Sequence, residues 1–383
     1  MIGSAERAPR PSAFAALVAL AGAVEQRRPD DLVAALSAVP QPLLLRAAAR
    51  HRCLGYIRRG IADLRVRSAP ATAIADALRE YSAKAGLQTY VAREQIERLA
   101  RDLNQAAIPF ALLKGAARIF RSERGAALEM TDDLDLLVPR RDGNRAVALL
   151  ERRGYRSELG EQVAAYYERH HHLAPLVPLE LGLPVELHVG LAPLGSLSMA
   201  TDWSACEPYF ERVTVGDVET ICFNPLGTAI HLTIHSEGIK RFRDVILLSR
   251  ILRDDEAMYG KVQRLVERER CQLNALQAVL ALSAHLAGID VEASLPARRY
   301  LQWVMRREDL QPSIRDRCQL ADAWYSSGGR LLWPATRHAL LPDALEERRN
   351  APVAALRSTL RAVGRICASA YAVLGFWKVP SAP

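Results

Sequence analysis

The sequence lacks the features that mark several protein classes. Its six cysteines are scattered over 383 residues and none forms a C-x-x-C pair, which argues against a zinc knuckle or a disulfide scaffold and favours buried, reduced thiols. No apolar run reaches the roughly 18 residues that a membrane-spanning helix needs. Charged residues make up 25% and hydrophobic residues 50% of the chain, so the composition is that of a folded protein with a sizeable core.

Acidic residues are fewer than basic ones, and this imbalance bears on the partners of the protein. The chain has 43 acidic and 51 basic residues, with a formal net charge of +8 at pH 7. A basic surface favours phosphate-bearing partners such as nucleotides or RNA. A coding sequence rich in G and C gives the same excess of arginine and alanine, so charge alone leaves binding of nucleic acid open.

The N-terminal segment contains one apolar run, at 13–24, which follows Arg7 and Arg10. It is rich in alanine, begins after the helix-starting residue Ser12, and is followed at once by Glu25. We therefore expect an amphipathic helix, with a cleaved signal peptide as the alternative. The sequence predicts a cytoplasmic protein without a membrane partner.

Hydrophobic periodicity predicts three regions. The first, 1–107, has the spacing of amphipathic helices throughout, including one long helix over 71–105. The second, 108–224, alternates short apolar runs with turns and predicts strands, and the third, 225–383, is helical again. Strands are expected at 108–113, 133–138 and 185–189 and in a hairpin at 213–223. The expected fold class is α+β, a small mixed sheet flanked by helical regions.

Carboxylates recur at strand spacing in the middle region. Asp133 and Asp135 are two positions apart, so both side chains project from the same face of a strand, and the same holds for Glu186 and His188. Carboxylates that lie a few ångströms apart repel each other unless a divalent cation lies between them. If the two strands are neighbours, three acids converge on a metal site suited to phosphoryl or nucleotidyl transfer.

A second motif lies at the end of the first predicted strand. Lys114 and Gly115 follow the apolar run, and a helix is expected to begin at Ala116. Glycine at such a turn lets the backbone approach a phosphate, and the first N–H groups of the helix then point at the anion. Lys114 and Arg118 add positive charge. The sequence therefore predicts a phosphate-binding turn beside the acids.

Two groups of histidines invite a metal interpretation that their spacing disfavours. Residues 170–172 are consecutive and cannot all face one point on a strand. His231 and His235 share one face of a helix, but the sequence between them lacks the glutamate of an H-E-x-x-H zinc motif. We expect His231 and His235 to pack against the catalytic domain.

These motifs together resemble the uncharacterised nucleotidyltransferase family of bacteria, within the polymerase-beta-like nucleotidyltransferase superfamily. The resemblance covers roughly 50–255 and rests on segments 112–115, 133–138, 185–188, 231–235 and 243–244. It implies a mixed sheet, Mg²⁺ or Mn²⁺, an NTP donor such as ATP, and a metal site of two aspartates and a third acid. The chain departs from the superfamily pattern at Ala116, where a glycine or serine is usual.

Three hypotheses on function follow. The first is a nucleotidyltransferase that moves a nucleoside monophosphate from an NTP to an unidentified acceptor, which is a small molecule, a protein or RNA. The second is a decayed module on the same fold that binds nucleotide without catalysis. The third is an enzyme directed at tRNA or other RNA, which only the charge supports.

Under the first hypothesis the motif residues divide the work between donor and acceptor. Asp133 and Asp135 bind the metal at the NTP phosphates, which Lys114 and Gly115 contact. Glu186 shares a second metal and helps to deprotonate the acceptor, while His188 contacts the acceptor or orients Glu186.

Overall fold

We analysed a computed structural model of the chain. It describes residues 11–121, 131–157, 171–192, 197, 199–236, 239, 241–269, 273–291, 293–294 and 297–299. His170 and the helices expected beyond residue 299 lie outside these residues. The predicted α+β class with a mixed sheet and flanking helices is confirmed.

The N-terminal part of the chain is helical. Ser12 caps the first helix by accepting a hydrogen bond from the N–H of Ala15 at 3.1 Å. The single helix predicted over 71–105 was wrong, because the backbone leaves the helical conformation at Leu78 and two helices result. The helices are α1 (Ala13–Glu25), α2 (Pro29–Ser37), α3 (Gln41–Arg50), α4 (Leu54–Asp63), α5 (Ala69–Ala77) and α6 (Arg79–Gln105).

Shorter helices and strands alternate in the middle of the chain. Two of the strands, β3 and β4, have three residues each and were not predicted. The elements are β1 (Ala111–Leu112), α7 (Lys114–Phe120), β2 (Leu134–Leu137), α8 (Gly143–Arg152), β3 (Tyr155–Ser157), β4 (Leu176–Pro178), β5 (Val185–His188), α9 (Trp203–Cys206), β6 (Phe210–Val215) and β7 (Val218–Phe223).

The seven strands form one mixed sheet in the order β3-β4-β5-β2-β1-β7-β6. Strand β2 pairs in parallel with β5 and antiparallel with β1, while β1 pairs in parallel with β7. The hairpin predicted at 213–223 is β6 and β7, which turn at Gly216 with a φ of 61°. The central position of β2 places its side chains over the middle of the sheet.

The two faces of the sheet have different neighbours. Leu134 and Leu136 are fully buried in a core with residues of α6, α7 and α8. Asp135 and Leu137 point to the opposite face, where Leu137 packs with Phe223 and other apolar residues. The period-2 alternation of β2 therefore separates an apolar face from the face that carries the acids.

The last part of the described chain is helical again, with helices α10 (Pro225–His235), α11 (Phe242–Asp254), α12 (Glu256–Val266) and α13 (Leu273–Ala287). Their buried side chains share one core with those of α1–α5. We call these nine helices the helical layer. Helix α6 instead packs on the sheet. The predicted domain boundaries at 108 and 225 stay a prediction. One hydrophobic core contains helices from before the first boundary and from after the second.

Within the described residues, no single helix is long and apolar enough to cross a membrane. Helices α2 and α3 reach the required length and composition only as a pair, and the chain bends by 105° between them.

His51 joins the two ends of the helical layer. Its ring lies 4.7 Å from the ring of Phe14 and 6.4 Å from that of Phe242, measured between centroids. Its Nδ1 accepts a hydrogen bond from the N–H of Phe242 at 3.3 Å. Burial, and to a smaller extent Arg50, lowers the pKa of His51 to about 4. The neutral ring is therefore part of the folded core.

We predict that His51 makes the protein sensitive to acid. The unfolded chain binds a proton at His51 below the ordinary pKa of 6.5, whereas the folded chain does so only near 4. Stability contributed by the neutral ring is present above pH 6.5 and is lost as the pH falls towards 4, by at most about 3 kcal/mol. Melting temperatures between pH 7 and pH 4.5 should fall less steeply for His51→Asn than for the wild type. Parallel curves would contradict this role.

Candidate active site

Two acids and a histidine meet on the polar face of strands β2 and β5. The parallel register places Asp135 directly opposite Glu186, and His188 follows two positions along β5 on the same face. His188 Nε2 lies 2.7 Å from Asp135 Oδ1 and 3.8 Å from Glu186 Oε2. One ligand atom from each residue lies within 4.8 Å of the other two. We call these three residues the acid–histidine triad.

Asp133 lies beside the triad and is not one of its members. It is half-buried and precedes β2, and its backbone oxygen accepts a hydrogen bond from Thr131 Oγ1 at 3.0 Å. Burial and the nearby Asp135 raise the pKa of Asp133, against the effect of Lys114 and other cations. Its side chain therefore extends the acidic surface of the triad.

The charges in the triad are balanced by hydrogen bonds. Burial alone would raise the pKa of Asp135, but Lys114 and His188 hold it well below its ordinary value. Lys114 Nζ donates to Asp135 Oδ1 at 2.9 Å. Burial, followed by Asp135 and Asp133, raises the pKa of Glu186 to about 7. The acids therefore repel each other as their spacing predicts, and this repulsion contributes to the raised pKa of Glu186.

The predicted phosphate-binding turn differs from expectation in one respect. Helix α7 begins at Lys114 rather than at Ala116, and Lys114 itself has a φ of 45°. A lysine in this left-handed region is uncommon, and it directs its side chain to Asp135. Arg118 lies one turn later on α7 and is half-buried. Lys114 thus joins the acids, whereas a phosphate role for Gly115 and Arg118 stays a prediction.

Gly115 has a packing role that the structure makes visible. A Cβ atom at Gly115 would lie 2.9 Å from Thr131 Oγ1 and 3.4 Å from Thr131 Cβ. Because Thr131 in turn holds the backbone of Asp133, the absence of a side chain at Gly115 lets α7 approach the segment that carries the acid.

The helical layer adds basic side chains to the same region. Arg52, in the turn after α3, forms an ion pair with Asp132. Burial, then Arg241 and Arg243, lowers the pKa of Arg52, while Arg241 also influences the pKa of Asp133 and Glu186. Sequence reasoning missed Arg52 and Arg241, because neither belongs to a motif and only the packing of the layer brings them to the acids.

The histidines of α10 also face this region. His231 is buried against Phe223, with 5.8 Å between ring centroids. Burial and then Lys114 lower its pKa well below the ordinary value. His235 Nδ1 donates to Asp244 Oδ2 at 2.9 Å. His231 therefore has the packing contact that the sequence predicts, whereas His235 has a carboxylate partner in α11.

His171 and His172 lie next to the triad but are not members of it. His172 forms an isolated bridge with His188, and the rings of His171 and His172 lie 5.6 and 5.5 Å from that of His188. Among the residues that the structure describes, the group with metal-binding geometry contains neither of them. They form an aromatic wall beside His188.

The triad fits a divalent cation on its donor chemistry. It offers two carboxylates and one imidazole. Lys114 and His188 both contact Asp135 Oδ1, and a bound cation would compensate the same negative charge. Carboxylates suit Mg²⁺ and Mn²⁺, and imidazole suits transition metals, so the mixed set is compatible with a divalent cation.

Comparison with known proteins gives one family. The model of an uncharacterised nucleotidyltransferase family matches residues 37–288. That segment contains the triad, Lys114, Arg52 and Arg241. No curated protein and no solved structure matches the chain.

We predict that Gly115→Ala disturbs the site through Thr131. The added methyl group must displace Thr131 Oγ1, which destabilises the fold by about 1–3 kcal/mol, the usual cost of overpacking. Thr131→Ala removes that atom, so the double variant should be more stable than the sum of the two single changes allows. Urea unfolding of the four proteins measures this coupling, and strict additivity would show that the contact does not limit the substitution.

Proposed function

The chain belongs to the uncharacterised nucleotidyltransferase family, and we propose that it transfers a nucleoside monophosphate from an NTP to an acceptor with the help of a divalent metal ion. The observation that carries this proposal is the register of β2 and β5, which pairs Asp135 with Glu186 beside Lys114. A buried acid paired with a half-buried one next to a lysine supports both metal binding and phosphate binding.

The triad is the proposed metal site. Asp135, Glu186 and His188 would hold Mn²⁺ or Mg²⁺. Asp133, whose charge helps to raise the pKa of Glu186, is a further proposed ligand. When bound, the ion supplies Lewis-acid stabilisation of the charge that develops on the phosphate oxygens. Binding the ion would also relieve the repulsion that raises the pKa of Glu186.

The cations around the triad are the proposed triphosphate contacts. Lys114 would bind a phosphate oxygen when a metal takes over the charge of Asp135. Arg241 and Arg52 lie across the acids on the helical layer, and guanidinium groups bind phosphate through paired hydrogen bonds. The donor is an NTP, with ATP as the first to test.

Two alternative functions are still to be tested. A decayed module would bind nucleotide without turnover, and the intact Asp133, Asp135 and Glu186 argue against it. An RNA acceptor is supported only by the net charge of +8. Incubation with labelled NTPs, Mn²⁺ and a cell extract, followed by identification of the labelled species, tests the proposal and reveals the acceptor. A cytoplasmic location remains part of this proposal.

We predict that the wild type binds Mn²⁺ more tightly than Mg²⁺, and that Asp135→Asn abolishes this binding. The loss of one carboxylate charge removes the strongest ligand while keeping the side-chain shape. Calorimetry measures both affinities, and circular dichroism checks that the variant folds. Asp254→Asn, on the exposed end of α11, is the matched control. Equal Mn²⁺ binding by Asp135→Asn and the wild type would refute the metal site.

We predict that Glu186→Gln and Lys114→Gln affect different kinetic constants. Glu186 acts mainly in the transition state, so its replacement should lower pyrophosphate release from ATP by about 100-fold or more with a near-normal KM. Lys114→Gln should chiefly raise the KM, because the lysine contacts the bound donor. Steady-state kinetics with saturating Mn²⁺ separates the two. The reverse pattern would assign Glu186 to donor binding.

A further inference from the structure

The reaction proposed above needs a group that takes a proton from the acceptor. A bound metal ion stabilises the charged form of a carboxylate and so weakens it as a base, which makes Glu186 poorly suited to this step once the ion is present. The helical layer, which meets the acid-bearing segment where Arg52 pairs with Asp132, contains a histidine held by a buried aspartate. Both residues lie in segments that resemble the family, at 231–235 and 243–244, but the motifs assign neither of them a catalytic role.

The pair consists of His235, the last residue of α10, and Asp244, in the first turn of α11. Asp244 is buried, with 4% of its side chain exposed. Its Oδ1 accepts from Arg243 Nε at 3.2 Å and its Oδ2 accepts from His235 Nδ1 at 2.9 Å. Both carboxylate oxygens are therefore fixed by donors, and the ring of His235 is fixed in turn.

This hydrogen bond determines which nitrogen of His235 remains available. Because Nδ1 carries the hydrogen that Asp244 accepts, Nε2 of the neutral ring holds a lone pair. Among the described residues the structure gives no hydrogen bond to Nε2, and 24% of the side chain is exposed. Burial and Lys114 lower the pKa of His235 to about 4, so the ring is neutral near pH 7.

His235 follows His231 on one face of α10, with 6.0 Å between their ring centroids. His231 packs against Phe223, which belongs to the same cluster as Leu137 on the acid-bearing face of the sheet. Lys114, which contacts Asp135, is the largest electrostatic influence on the pKa of His235 after burial. His231, one turn earlier on the same face, is influenced by Lys114, His188 and Asp135. The ring of His235 therefore borders the space between the acids of the sheet and the helical layer.

We propose that His235 is the general base that activates an acceptor hydroxyl and that Asp244 is its positioning residue. This inference rests on the proposed nucleotidyl transfer. The acceptor oxygen forms a bond to the α-phosphorus, and its proton passes to His235 Nε2. The bond from that phosphorus to the bridging oxygen breaks, and its electron pair leaves with pyrophosphate. Asp244 stabilises the imidazolium, which then releases its proton to solvent.

The charges around His235 support its role as the general base. In the metal-free protein burial, Lys114 and Arg241 disfavour protonation of His235, against the effect of Asp244. A bound triphosphate brings negative charge into the same space and raises the proton affinity of the ring. His235 is thus neutral before the donor binds and a stronger base when the donor is present.

The first test measures the tautomer of His235 without any reaction. Nitrogen-15 spectra of the full chain at pH 7, with the signal assigned through His235→Gln, should show a neutral ring with its hydrogen on Nδ1. Asp244→Asn should shift this signal towards the other tautomer, because an amide no longer selects Nδ1–H. A hydrogen on Nε2, or a doubly protonated ring, would overturn the proposal.

The second test measures pyrophosphate release from ATP with Mn²⁺ and water as the acceptor. His235→Ala should lower the rate by about 100-fold or more while the Kd for ATP stays unchanged, as for loss of a general base. Added imidazole should restore part of the rate, which a purely structural role would not allow. His285→Ala, which removes an exposed histidine on α13, is the matched control.

The outcomes separate this inference from the proposed function. A wild type that binds ATP but releases no pyrophosphate, even with an extract as acceptor source, refutes the nucleotidyl transfer and the general base with it. A wild type that turns over while His235→Ala is equally fast, or is slow without rescue by imidazole, refutes only the role of His235.

Discussion

The parallel pairing of β2 with β5 is the constraint on which the site depends. It sets the buried Asp135 against the half-buried Glu186, and two carboxylates so close cannot both remain charged without compensation. Lys114 compensates Asp135 by a hydrogen bond of 2.9 Å, while burial and then the remaining repulsion raise the pKa of Glu186 to about 7. The left-handed backbone of Lys114 and the close approach of Gly115 to Thr131 both serve to bring that lysine and the acids together.

The helical layer completes the site from the other side. Arg52 precedes the acids in the sequence and pairs with Asp132. Arg241 and the His235–Asp244 pair follow the last strand of the sheet. Under the proposed transfer, the layer would supply both cations and a base, and phosphoryl transfer needs charge on both sides of the phosphorus.

Local patterns predicted the sheet face well and the long-range contacts poorly. Two-residue periodicity was enough to place Leu134 and Leu136 in the core and Asp135 on the other face, since strand geometry alone decides that. Strands β3 and β4 were not predicted, because three residues are too few to show the alternation of apolar and polar side chains. The start of α7 was misplaced because a positive φ at Lys114 is not a property that its residue type suggests. Arg52 and Arg241 approach the acids only through tertiary packing, on which sequence spacing carries no information.

The shared core of the helical layer has a consequence for biosynthesis. Helices α1–α5 leave the ribosome long before α10–α13, since the whole sheet is made between them. At about 5–20 residues per second, the early helices wait many seconds with apolar surface uncovered before their partners exist. Nascent chains of this protein are therefore candidates for chaperone binding, and truncation after β7 would leave the first five helices without a core to complete.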